Sequence, residues 1–85
     1  MDAVRLVAMA NQIGAFFAAE PERAVALEGI ATHLKKFWEP RMRRAIYRAL
    51  DAGGEGLSDP VREALQRHRA SLEPAAVAPQ PRAER

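Results

Sequence analysis

Few residues in this chain are equipped for chemistry on their own. Its 85 residues hold no cysteine, two histidines (His33, His68) and two serines (Ser58, Ser71). A nucleophile needs a base within hydrogen-bond reach, and no serine and histidine are adjacent in the chain. Neither histidine has a second metal ligand at helical spacing, so each reads as a packed or surface imidazole. The glycine-rich stretch GGEG (53–56) joins two helical patterns and follows no strand, unlike a phosphate-cradling loop. The residues argue against an autonomous enzyme.

What stands out is HLKKFWEPRMRR, residues 33–44. It holds the only tryptophan, Trp38, next to Phe37, and the basic tract Lys35, Lys36, Arg41, Arg43, Arg44 and Arg48 begins within it. Three readings compete. Arginines and aromatics suit a protein partner, through bidentate pairs with carboxylates and apolar anchors. They also suit a nucleic-acid groove, with the cations of residues 35–48 on phosphates, or a solvated helix face. The formal charge is only +2, despite a sequence pI of about 9.7. The tract is short and nearly balanced elsewhere, which favours the partner surface.

The elements that position this stretch follow from periodicity. Residues 2–18 predict a helix, with Asp2 as N-cap and Leu6, Met9, Ala10, Ile13, Phe16 and Phe17 on one face. Gly14, Asn11 and Gln12 fall off that face. Asp2, Asn11 and Gln12 also spoil any reading of this stretch as a signal peptide. A second helix is predicted over 21–38, with Ala24, Leu27, Ile30, Ala31, Leu34, Phe37 and Trp38 inward. Glu39 precedes a proline and is pushed out of helical geometry, while Pro40 suits the first turn of a new helix.

That third helix is expected to run to about Ala52, with Met42, Ala45, Ile46, Ala49 and Leu50 inward and Arg41, Arg44 and Arg48 on another face. Gly53-Gly54 ends it. Asp59 and Pro60 open a fourth, with Val61, Ala64, Leu65, His68 and Leu72 as its stripe and Glu63 and Arg67 paired outside. The expected fold is therefore all-α, a small bundle of three to four helices over residues 1–72. Residues 73–85, rich in Pro and Ala, are expected to form a disordered or draped tail. No apolar run reaches the length of a membrane span, and the cytoplasm is the expected location.

MANQIGAFFAAEP (9–21), GIATHLKKFWEPRMRRAI (29–46) and GLSDPVREAL (56–65) resemble the small delta subunit of bacterial NAD-dependent, molybdenum-containing formate dehydrogenases. The resemblance covers about residues 4–70. It implies a non-catalytic accessory subunit with no cofactor of its own. Its partners would be a large alpha subunit holding a bis-molybdopterin guanine dinucleotide centre and iron–sulfur clusters, with beta and gamma subunits that carry FMN and use NAD. The implied role is stabilising the complex or its cofactor-loaded assembly. Phe37, Trp38, Pro40, Arg41, Met42, Arg43 and Arg44 are then expected to form the partner interface or to set its geometry. A small helical nucleic-acid-binding protein is the alternative.

Overall fold

The computed structural model describes residues 2–74. Among them the chain forms α1 (Ala3–Phe17), α2 (Arg23–Phe37), α3 (Pro40–Asp51), α4 (Asp59–Arg67) and a single turn, α5 (Arg69–Leu72). There is no strand among the described residues. The all-α expectation holds, while the tail beyond Pro74 lies outside the described residues.

The ends of the helices have local causes. Asp2 accepts the Val4 N–H at 3.0 Å and caps α1. Pro21 and Glu22 stand before α2, which begins at Arg23 and not at 21. Glu39 is extended (φ −65°, ψ 154°) and Pro40 is the first residue of α3. At the end of α3, Gly54 N–H reaches Ala49 O and Gly53 N–H reaches Leu50 O. Gly53 has φ +123°, which a side chain would disfavour. Ser58, one residue before the expected cap, holds the N-cap position of α4, so Asp59 lies within the first turn. The fourth helix stops at His68 and resumes as α5, which carries Leu72 into the core.

α1 and α2 form an antiparallel hairpin, and α4 packs into the cleft along one side of it. This side is the core: Leu6 and Ala10 from α1, Leu27, Ile30 and Leu34 from α2, Ile46 and Tyr47 from α3, and Val61, Leu65 and Leu72 behind them. Two assignments along α1 change. Gly14 is buried, not set aside: a Cβ there would stand 2.6 Å from Val61 Cγ2, so its bareness lets α4 approach. Met9 and Phe16 instead face outward, Phe16 with 77 % of its surface exposed. Seating α3 and α4 against the Leu6–Ala10–Gly14 side of α1 turns Met9 and Phe16 away from it. On α2, Ala24 and Phe37 likewise leave the core face.

Candidate functional site

The corner at residues 37–44 divides into a scaffold and a surface. Trp38 keeps its N–H on Leu34 O but has extended backbone (φ −94°, ψ 131°), and its side chain turns into the core with 5 % exposed. Phe37, still helical, is left 69 % exposed. Arg43 is internal wiring: its Nε donates to Trp38 O at 3.2 Å and its Nη1 to Leu72 O at 2.9 Å. Met42 is half-buried against the core. Pro40 and Arg41 are exposed, and Arg44 is half-buried. Lys35 also works within the fold, donating to Ser71 O at 2.7 Å. Of the six basic residues, Lys36, Arg41, Arg44 and Arg48 remain for the surface, with Arg44 and Arg48 beside Asp51, Arg69 and Glu73.

The second face of the hairpin is an open apolar groove of about 540 Å³, lined by Met9, Gln12, Ile13, Phe16, Phe17, His33 and Trp38. It continues past Phe17 and His33 into a shallower depression of about 420 Å³ that includes Val25, Glu28, Lys36 and Phe37. Phe16 and Phe17 meet edge to face at 5.1 Å between ring centroids, and His33 lies 4.8 Å from Phe37. Gly29 makes the floor possible, because a side chain there would occupy the place of the Phe17 ring.

Several residues that sequence reasoning set aside hold these surfaces in place. Asn11 donates from Nδ2 to Gly56 O at 2.8 Å and accepts the Ser58 N–H on Oδ1 at 2.9 Å, latching the loop before α4 onto α1. Its signal was a polar side chain beside an apolar stripe in a helix interior, while its partner, the loop at Gly56–Ser58, lies far along the chain. Tyr47 is buried with its hydroxyl donating to Leu65 O at 2.7 Å, and burial pushes its phenol pKa well above the ordinary value. The Arg69 guanidinium lies over its ring, 4.9 Å from the centroid. Arg69 also bridges Asp51 and Glu73, and its hydrogen bond holds the Asp51 carboxyl below the usual carboxylate range. On the other side Arg23 does the same for Glu63, which also accepts the expected pair from Arg67.

A family profile, NADH-dependent formate dehydrogenase delta subunit FdsD, matches residues 5–65, most of α1 through α4. The chain belongs to the FdsD family. As an FdsD-family member it is an accessory, not a catalytic, subunit of a formate dehydrogenase complex. No curated protein and no solved structure matches it significantly. Among the described residues no cluster of three or more His, Asp or Glu could hold a metal ion. None of the described helices is long and apolar enough to cross a membrane. The FdsD match spans Asn11, Gly14, Gly29, Trp38 and Arg43, each of which has a structural task described above.

Proposed function

We propose that this chain is a docking subunit that binds the large, molybdenum-containing subunit of a cytoplasmic NAD-dependent formate dehydrogenase and stabilises the complex or its cofactor-loaded assembly. The bis-molybdopterin guanine dinucleotide, iron–sulfur clusters and FMN reside, on this reading, in the alpha, beta and gamma subunits. Binding only the assembled conformation stabilises it by mass action, about 2.7 kcal/mol when the chain stands at 100 times its Kd. The observation that carries the reading is the exposure of Phe37 at a bend that otherwise sends its large apolar groups inward. Phe37, Pro40, Arg41 and Arg44 provide the contact in this proposal. Trp38, Met42 and Arg43 set the angle at which that contact is presented.

The test replaces Phe37 and Arg41 together by Ala and measures retention of the large subunit in a pull-down from co-expressing cells. Both side chains are exposed, so helicity and melting temperature are expected to stay near wild type while retention falls at least tenfold. Unchanged retention sinks the assignment of the corner. Trp38 and Arg43 are unsuitable for this test, because removing either disturbs the fold itself.

A further inference from the structure

We propose that the arginine pocket between α3 and α5 takes an acidic segment of the large subunit, its carboxylates held by Arg44 and Arg48. This rests on the docking role proposed above and carries it from the corner along α3. The pocket is a depression of about 480 Å³ whose charged lining is Arg44, Arg48, Asp51, Arg69 and Glu73. These five charges do not pair evenly. Arg69 takes both carboxylates: Nη1 and Nη2 donate to Asp51 at 2.9 and 2.6 Å, and Nε donates to Glu73 at 2.6 Å. Its guanidinium also lies over the ring of the buried Tyr47, which fixes it from below. Arg44 and Arg48 are left without an ion pair among the described residues.

The two arginines lie one turn apart on α3, a spacing at which like charges destabilise a helix. Arg44 is half-buried, so part of its hydration is already lost. The fold thus holds two cations together at a concave surface and gives neither an anion. Protein carboxylates suit them better than phosphates for two reasons. Guanidinium and carboxylate match as a fork on a fork, and Arg69 with Asp51 already makes that pair inside this pocket. Asp51 and Glu73 also remain in the lining, so three arginines against two carboxylates leave a single positive charge. A duplex, with a charge about every 1.7 Å of its axis, would press phosphates onto those two carboxylates. Carboxylates spaced along a peptide can meet Arg44 and Arg48 and avoid them. Residues 75–85 of this chain are a poor source, with Glu84 alone beside Arg82 and Arg85.

The experiment titrates the full chain into the purified large subunit and reads Kd at low and high salt. Arg44→Lys with Arg48→Lys keeps both charges and removes both forks. It is expected to weaken binding about tenfold or more while the salt dependence stays. Arg44→Gln with Arg48→Gln is expected to weaken binding about 100-fold and to lose most of the salt dependence. Both double variants should melt at or above the wild-type temperature, since they relieve a repulsion and break no ion pair. A lowered Tm in both would make the arginines structural and overturn the inference. Arg5→Lys on α1 is the control and binds as wild type. A photo-crosslinking residue at position 48 is expected to label a large-subunit peptide with at least two Asp or Glu, and a labelled peptide without carboxylates overturns the inference. Full affinity in the lysine variant reduces the pocket to diffuse charge and overturns it too. Wild-type affinity in both variants overturns it and leaves the corner, which Phe37 and Arg41 test separately, standing. Failure of the wild-type chain to bind the large subunit overturns the docking reading itself. If duplex DNA binds the chain and the glutamine variant does not hold it, the partner is nucleic acid and the inference is wrong.

Discussion

Gly14→Ala sets two effects of known size against each other. Alanine in a helix interior is favoured over glycine by about 1 kcal/mol. Against this, the new Cβ would lie 2.6 Å from Val61 Cγ2 and 3.5 Å from Ser58 Oγ. Carbon atoms in contact prefer about 3.5–4.0 Å, so roughly 1 Å must be found somewhere. Val61 cannot easily give it. It is fully buried, and as a β-branched residue on a helix it has essentially one rotamer. Overpacking of this kind costs about 1–3 kcal/mol. The strain matches or outweighs the propensity gain, leaving a net loss of up to about 2 kcal/mol once roughly 1 kcal/mol of propensity is returned.

Urea unfolding followed by circular dichroism measures it, and each kcal/mol corresponds to about 4–8 °C in Tm for a domain of this size. Val61→Ala alone should cost about 1.5–3 kcal/mol. The double variant should cost at least about 1 kcal/mol less than the sum, because the methyl groups that collide are gone. Gly29→Ala provides the contrast. Its Cβ would meet the Phe17 ring, but that ring is half-buried beside an open groove and can swing outward, so the change should stay within about 0.5 kcal/mol of wild type. If Gly14→Ala is stabilising by the full propensity value, α4 is not held against α1 as described.

Asn11→Ala removes a donor to Gly56 O and an acceptor for the Ser58 N–H, and should destabilise the fold by about 1–3 kcal/mol. Hydrogen exchange would localise the effect, with the Ser58 amide losing protection first. Tyr47 gives a pH dependence of known sign. Its phenol pKa is raised on folding, so the neutral form's contribution is complete below the unfolded value, near 10.0, and is lost as pH rises above it. Wild-type stability should therefore fall in alkali. Tyr47→Phe, although about 1–2 kcal/mol less stable at neutral pH through its lost hydrogen bond, should lack that decline. As the chain's sole tyrosine, Tyr47 can be titrated directly by its ultraviolet absorbance.

The helices were legible because their signals are local. Asp2, the Glu39–Pro40 step and the glycines after α3 act within a few residues, and their positions in sequence are their positions in structure. Which way each face turns is a different kind of fact. A broad apolar stripe on α1 contains both the Leu6–Ala10 line and the Met9–Phe16 line, and the approach of α3 and α4, elements far along the chain, selects between them. Gly14 falls outside the apolar face that periodicity draws, while its role is set by Val61, far along the chain. Phe37 and Trp38 share a sequence neighbourhood and part company because one backbone step becomes extended. The basic tract was visible as charge, but the use of Lys35 and Arg43 on the carbonyls of Ser71 and Leu72 depends on where α5 returns.

That return has a consequence for truncation. A helix ordinarily leaves its last carbonyls to water, a following turn or a cap. Here Ser71 O and Leu72 O already have donors in Lys35 and Arg43, while Arg69 holds Glu73 from below. The carbonyls of Ser71 and Leu72 therefore need no donor from the chain that follows. A protein stopped after Pro74 is expected to unfold at the same urea concentration as the full chain. A lower midpoint for the shortened protein would mean that residues 75–85 supply stabilising contacts beyond this clasp.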